Sequence, residues 1–364
     1  MKIREILNSL ESQAPLSSQE DYDNAGLIVG NKEKEVSQTL ISLDCTEEII
    51  DEAIEKGCNL IISHHPIVFK GLKQLTGANY VERTVIKAIQ HDIAIYAAHT
   101  NLDNYQQGVN KKIGDLLRIT HPEILAPVSH TLVKLIVFVP LDALDKVREA
   151  IFDAGAGEIG NYSECGFHTE GKGTFKGNEA SNPAYGEKNQ RAEEKEARLE
   201  VLMSSHICKQ VIAAMKTAHP YEEVAYDLIS LLNQNPTEGA GMIGELEKAM
   251  DEKTFLAHLK ETFQTGCIRH TDFLNKPIKR VAWCGGAGSF LLPLAKSKQA
   301  DIFISGDFKY HEFFDAENEI VIADIGHFES EQFTIDLIAD IIRKKIPTFA
   351  PYLTEKNTNP VNYF

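Results

Sequence analysis

Three imidazoles and two carboxylates stand out by type and spacing: His64, His65, His327, Asp103 and Glu331. Pro66 follows the two adjacent histidines. Neighbouring side chains of a strand point to opposite faces, so both rings can face one centre only where the strand breaks. Pro66 supplies that break by biasing His65 away from helical geometry. An isolated His-His pair is equally satisfied as one core and one surface histidine, and short motifs often match by chance. The second cluster is His99-Thr100-Asn101-Leu102-Asp103. It suits an oxygen ligand beside a supporting or catalytic imidazole. Asp103 as the cap of a helix near Gln106–Leu117 is the plainer alternative. The third cluster is Gly326-His327-Phe328-Glu329-Ser330-Glu331, in which His327 and Glu331 are four residues apart and would share a helix face. A solvated first turn, with acidic residues favoured at a helix N-terminus, reads the same way.

Together the five residues offer nitrogen and oxygen donors and no thiolate. That set suits two borderline divalent ions, with one carboxylate bridging them. Zinc, iron, manganese, cobalt and nickel all accept such donors. Calcium, which prefers oxygen alone, and copper(I), which prefers thiolates, fit less well. Two such ions would lower the pKa of a water and polarise the bond under attack. His99 or Asp44 would orient that water or move a proton. This is chemistry that a metal-dependent hydrolase of a small molecule would use. A metal-binding or metal-delivery protein without turnover uses the same ligands. A regulatory assembly that senses a small ligand is a third reading.

These residues fall where strands end. Thr39–Asp44 and Asn59–Ser63 read as buried strands, separated by a helix over Thr46–Lys56 that Gly57 stops. Tyr80–Gln90 reads as a helix and Ile93–Ala98 as a strand. The alternation implies βαβ units and a parallel sheet. From about residue 240 the habit returns, with strands over Ile278–Cys284, Asp301–Ser305 and Ile320–Asp324 and helices over Phe290–Lys298 and Glu331–Lys344. Ligand sites of open α/β sheets lie beyond the carboxyl ends of strands. Asp44, His64, His65, His99, Asp103, Asp307 and Asp324 all sit at such ends. The turn Cys284-Gly285-Gly286-Ala287-Gly288 follows a strand too. It either exposes backbone N–H groups to an anion or is a tight strand-to-helix turn. It has neither the dinucleotide nor the P-loop pattern.

The middle of the chain has another character. Leu132–Val139, Glu196–Met203 and Val224–Leu231 read as strands, and Leu141–Ala154 and His206–Thr217 as helices. Residues 155–190 look loop-like. The order β-α-β-β-α-β resembles a ferredoxin-like unit. Polar runs near residues 120–130 and 233–241 mark the joints.

The chain has 364 residues, 53 acidic against 37 basic, for a net charge of −16. That length suggests more than one domain. The acidic balance argues against a general binder of nucleic acid or of anionic membranes. No stretch approaches the roughly 20 apolar residues that span a bilayer, and no export signal is read at the start. Six cysteines are scattered without a C-x-x-C pair, as expected of reduced thiols in the cytoplasm.

The sequence resembles the Nif-three-like family. The resemblance rests on Asp23-Asn24-Ala25-Gly26-Leu27, Ser63-His64-His65-Pro66, Ala98-His99-Thr100-Asn101-Leu102-Asp103, Gly285-Gly286-Ala287-Gly288, Ser305-Gly306-Asp307 and Gly326-His327-Phe328-Glu329-Ser330-Glu331, in that order. Bacterial members carry the label GTP cyclohydrolase 1 type 2 homologue, which suggests opening of the GTP ring. The resemblance implies two α/β lobes forming one metal-site domain, residues 1–128 and 237–364. A PII/CutA-like domain over 129–236, with His219-Pro220-Tyr221-Glu222-Glu223, would interrupt them; His219 reads there as a structural turn residue. The resemblance further implies that His65 and Asp103 hold one ion, His64 and His327 the other, and that Glu331 bridges both. It also implies a homohexamer, a toroid of paired trimers.

Overall fold

The structure, a computed structural model, describes residues Met1–Phe364. It divides into two compact units, one made of Met1–Pro127 with Thr237–Phe364 and one of Val128–Pro236.

The first unit opens with helix α1 (Ile3–Glu11), which buries Ile3, Ile6, Leu7 and Leu10 on one face. Strand β1 (Gly26–Val29) precedes β2 (Thr39–Ser42), helix α2 (Glu47–Glu55), β3 (Leu60–Ser63), helix α3 (Tyr80–Gln90) and β4 (Ala94–Ala97). Every residue of β2, β3 and β4 is buried, which is why they read as apolar runs without alternation. Helix α2 ends at Gly57, whose φ of +68° suits a residue without Cβ. The short helix α4 (Thr100–Asp103) follows β4, and helix α5 (Val109–Leu116) follows α4. β5 (Thr120–Ser129) then leads out of this half.

The second unit runs β6 (Leu132–Pro140), α6 (Leu144–Asp153), β7 (Gly166–Lys176), β8 (Arg191–Ser204), α7 (Cys208–Ala218) and β9 (Tyr226–Ser230). Its four-stranded sheet has the order β7-β8-β6-β9, with every neighbouring pair antiparallel. Both helices bury Val147, Ile151, Val211 and Met215 in one cluster with Leu135, Val137, Leu199 and Val201 of the strands. Residues 155–190, expected as loop, contain β7. That strand is exposed along most of its length, so it carries none of the apolar alternation by which strands are found.

The chain returns through β10 (Gln234–Met250), which begins inside the run expected as a joint. It continues with α8 (Glu252–Thr262), β11 (Arg269–His270), β12 (Ile278–Ala287), α9 (Leu292–Ser297), β13 (Ile302–Gly306) and β14 (Val321–Asp324). Helices α10 (His327–Glu331) and α11 (Thr334–Lys345) and strand β15 (Tyr352–Leu353) finish it. One helix was expected from Glu331 to Lys344. Instead α10 ends at Glu331 and α11 starts at Thr334, and at the break the Gln332 side chain donates to the Phe263 carbonyl at 2.8 Å and to the Glu329 carbonyl at 3.2 Å.

The first unit therefore holds two sheets, β1-β4-β3-β2-β15 and β11-β14-β13-β12-β10-β5. Pairs β2–β3 and β3–β4 are parallel, as are β12–β13 and β13–β14. Helix α11 packs on β2 and on α5, and α5 packs on β12. One apolar cluster takes Ile41, Ile62 and Tyr96 from the first sheet and Trp283, Ile304 and Ala323 from the second. No helix is long and apolar enough to cross a membrane.

The two strands that leave this unit run side by side: a Cβ on Gly239 would lie 2.2 Å from the Ala126 carbonyl oxygen. A short linker can bridge such neighbours. Replacing residues 130–235 by a few Gly and Ser residues is therefore expected to leave the first unit folded. A cooperative melt with helical circular dichroism checks this; a molten or aggregated product would contradict it.

Candidate functional site

The parallel strands of both sheets end around one cavity of about 960 Å³ in the first unit. His64 and His65 follow β3, and His99 and Asp103 follow β4. His327 and Glu331 lie on α10, just beyond β14. The chain leaves β3 after Ser63 and bends at His64 and His65, and the two adjacent rings have centroids 4.9 Å apart.

Each ring is held from behind. His64 Nδ1 bonds the Ala98 carbonyl at 2.7 Å. His65 Nδ1 bonds Asp44 Oδ1 at 2.8 Å and His327 Nδ1 bonds Asp307 Oδ2 at 2.7 Å. An acceptor at Nδ1 fixes the tautomer and turns the lone pair of Nε2 the other way. All three Nε2 atoms point at Glu331. His65 Nε2 is 3.0 Å and His327 Nε2 3.1 Å from Glu331 Oε2, and the two nitrogens are 3.2 Å apart. His64 Nε2 lies 3.7 Å from Glu331 Oε1 and 3.6 Å from Asp103 Oδ1.

These distances group His65 with His327 and His64 with Asp103. The resemblance implies the other pairing, His65 with Asp103 and His64 with His327. In both, Glu331 stands between the groups, one oxygen toward each. The helical spacing that suggested a shared face for His327 and Glu331 is realised on α10.

The donor chemistry fits a cation. His64 Nε2 and Asp103 Oδ1 are buried and have no hydrogen-bond partner, an arrangement that costs free energy unless something positive sits between them. Donor atoms of His64, His65 and Glu331 all lie within 4.8 Å of one another, so this cluster can hold a metal ion.

Without an ion, protons hold the cluster. Burial opposes charge on His65, but Asp44 and Glu331 outweigh it and push the ring up to about 9. Burial likewise opposes charge on His327, yet Glu331 and Asp307 push it up to about 11. Glu331 is buried, but the neighbouring histidines hold it well below the usual carboxylate range. Asp103 moves the other way, raised first by burial and further by Glu331.

The remaining expected residues have definite places. Asp44 spends one oxygen on His65 and accepts from the Thr358 hydroxyl with the other, at 2.6 Å. His99 Nδ1 bonds Asp23 at 2.7 Å, and its ring stands edge-on to His64 and His65 with centroids 5.4 and 5.5 Å away. It faces the cavity without joining the five. Asp23 was quoted only within a motif, and its grip on His99 had no signal beyond that run. His219 is remote in sequence and role. It bonds the Phe138 carbonyl at 3.0 Å and accepts from Tyr221 N–H at 3.1 Å, as a structural turn residue does.

The glycine turn is not an open anion cradle. Gly285 N–H donates to Asn110 Oδ1 at 3.0 Å, Gly286 N–H to Ser330 Oγ at 2.9 Å and Gly288 N–H to Ser305 Oγ at 2.9 Å. The turn lets β12 press against the cluster. Gly286 has φ +60°, and a Cβ there would lie 2.4 Å from Glu331 Oε1.

The cavity wall combines Tyr22, Phe69, Phe290 and Tyr363 with carboxylates and Arg269. Its size is that of small-molecule sites.

A mixed α/β chain with imidazoles and a carboxylate gathered at strand ends is the class that emerges. Residues 1–360 match the family model Duf34/NIF3 (NGG1p interacting factor 3), and the chain belongs to that family. A Halalkalibacterium halodurans protein named "GTP cyclohydrolase 1 type 2 homolog" is 41% identical over 324 residues, covering 88% of this chain and 87% of that one. A Bacillus subtilis protein of the same name is 36% identical over 367 residues, covering 99% and 98%. The crystal structure of a Bacillus cereus protein related to NIF3 superposes with TM-score 0.89 at 37% identity, covering 100% of this chain and 99% of that one.

Gly286→Ala is expected to push Glu331 from its place. Metal affinity should fall by about ten- to a hundredfold, the usual cost of disturbing a ligand's support. Gly71→Ala, with nothing within 4 Å of its Cβ, serves as the control. Equal metal content in Gly286→Ala and the control would show that Glu331 is not a ligand.

Proposed function

We propose that the chain binds two divalent ions through His64, His65, Asp103, His327 and Glu331, and is a metal-dependent hydrolase of a small, nucleotide-like molecule. One observation carries the reading. Three imidazoles anchored at Nδ1 aim their Nε2 atoms at one buried carboxylate, beside a buried nitrogen and a buried oxygen that have no partner. Bound divalent ions would supply Lewis acidity and make water at the site more acidic. Zinc, iron, manganese, cobalt and nickel all suit the donors.

The protein's own groups have separate tasks in this reading. Asp44 and Asp307 orient His65 and His327 and raise their basicity. Glu331 keeps the two halves of the donor set in register. His99, fixed by Asp23 and facing the cavity, moves a proton between substrate and solvent. The aromatic wall holds a flat substrate, and the relatives' shared name supports a nucleotide-like one. A metal-delivery protein needs ligands but no room beside them, so the cavity favours turnover.

The middle unit enters the proposal as a ferredoxin-like, PII/CutA-like insertion between two α/β lobes. Its element and strand order support this. Exposed Leu228, Ile229 and Leu232 at its outer strand support self-association, for which we adopt the hexamer of paired trimers that the resemblance implies. Six free cysteines support a cytoplasmic location.

The direct test is metal analysis of purified protein followed by a broad hydrolase screen. Two ions per chain and turnover that disappears in His65→Ala are the expected results. Glu331→Ala should deplete both ions and His64→Ala mainly one. Tight, transferable metal without turnover would instead favour delivery.

The pH dependence has a defined sign. His65 and His327 have raised pKa values, so their ion pairs stabilise the metal-free fold fully below about 6.5. That contribution is lost as pH rises through about 9 and about 11. Glu331, Asp44 and Asp307 have lowered pKa values, so their contribution is present above about 4 and fades in acid. Metal must displace the imidazole protons. Binding at pH 7 should therefore release at least the two protons of His65 and His327, and affinity should strengthen as pH rises toward 9. Calorimetry in buffers of different ionisation enthalpy measures this. No proton release would mean that His65 and His327 are not ligands.

A further inference from the structure

Strand β15 pairs in parallel with β2, Tyr352 opposite Leu40 and Leu353 opposite Ile41. The chain after β15 therefore leaves the sheet at the same end as the chain after β2, which carries Asp44 to the site. Two anchors fix the exit. Thr354 N–H donates to the Ile41 carbonyl at 2.9 Å, and Glu355 N–H donates to Glu52 at 2.9 Å while its carboxylate meets Lys56 Nζ at 2.8 Å. Three residues after Glu355, the Thr358 hydroxyl donates to Asp44 Oδ2 at 2.6 Å. Asn359 then reaches Glu329 on α10 at 3.2 Å. Its own side-chain oxygen accepts from Val361 N–H at 3.0 Å, giving the tail a local turn. Asn359, Pro360, Val361 and Tyr363 line the cavity.

We propose that Thr358 is a positioning residue of the metal site, acting through Asp44 on His65, and that the C-terminal tail is therefore part of that site. This rests on the reading of His65 as a ligand. The carboxylate of Asp44 has two oxygens. One accepts a hydrogen bond from His65 Nδ1–H at 2.8 Å. The other, left to itself, would let the carboxylate swing about its bond to Cβ. The Thr358 hydroxyl holds that second oxygen, so the carboxylate keeps the plane that His65 needs. The bond crosses 314 residues of sequence, so no local pattern announces it. The tail touches the support of one ligand at Asp44 and then the ligand-bearing helix at Glu329, so it spans the site as a strap.

The test uses the full chain stripped of metal and titrated with cobalt(II), whose visible absorption reports ligand number and geometry. Thr358→Val keeps the shape of the side chain and removes the hydroxyl; Thr358→Ser keeps the hydroxyl. Thr358→Val is expected to weaken the cobalt(II) site that contains His65 by about ten- to a hundredfold and to change its spectrum. Thr358→Ser should return affinity to within a few fold, and both variants should melt within a few degrees of the parent. Parental cobalt affinity and spectrum in Thr358→Val would overturn the proposal, as would a loss that Thr358→Ser does not restore. Should the parent itself bind no cobalt, the metal reading falls and this inference falls with it. Binding in the parent isolates the test to Thr358.

Discussion

Glu331 is a carboxylate buried at the meeting point of two sheets, and the arrangement around it follows from the cost of burying charge. A lone buried carboxylate would take up a proton. This one is held ionised by His327, His64 and His65 against the opposing effect of burial. The histidines in turn need acceptors behind them, and Asp44, Asp307 and the Ala98 carbonyl supply these. Anionic acceptors make the rings of His65 and His327 better bases. The whole set then has one unmet requirement, a cation among the facing Nε2 and carboxylate oxygen atoms. Protons meet it incompletely, since His64 Nε2 and Asp103 Oδ1 stay without partners. A divalent ion meets it better, because it draws on several lone pairs at once.

The fold serves this convergence by bringing together the carboxyl ends of parallel strands from two sheets. Buried strands of four residues, such as β2, β3 and β4, leave little slack, so the residue just past each end is placed by the sheet itself. Glycine does the rest. Gly286 brings β12 to Glu331, and Gly306 leaves space where a Cβ would fall 2.8 Å from His327 N. Asp307 adopts φ +58° to reach His327. A non-glycine residue in that region stores strain, here at the residue that orients the His327 ring.

Much of this was legible in sequence because it is local. Apolar runs ending in Asp or His located the parallel strands and their site ends. The i, i+4 spacing of His327 and Glu331 survived into the structure on α10. What escaped was non-local or unpatterned. The exposed strand β7 has no apolar face to betray it. The break before α11 is marked only by Gln332, whose side chain bonds the Phe263 carbonyl across a separation of 69 residues. The approach of His65 Nε2 and His327 Nε2 to 3.2 Å joins residues of two sheets that are far apart in sequence. Asp23 behind His99 and Thr358 behind Asp44 are polar contacts of high sequence separation, and no periodicity encodes them.

The charge on the cavity wall sets a condition on what enters. Glu20, Asp44, Asp103, Asp307, Asp324, Glu329 and Glu331 face Arg269 alone among the arginines and lysines, and Arg269 is already paired with Asp324. A phosphate chain brought to such a wall would meet repulsion from these carboxylates, offset in part by the His65 and His327 rings, which their carboxylate neighbours hold protonated. Divalent ions at the proposed metal site would displace those protons and carry more positive charge in their place. In the proposed reading an anionic substrate would bind better with metal loaded, whereas a neutral aromatic one would stack against Tyr22 and Phe69 without it. The order in which metal and substrate bind thus distinguishes the two kinds of substrate, because linkage makes each favour the other only where their charges are complementary.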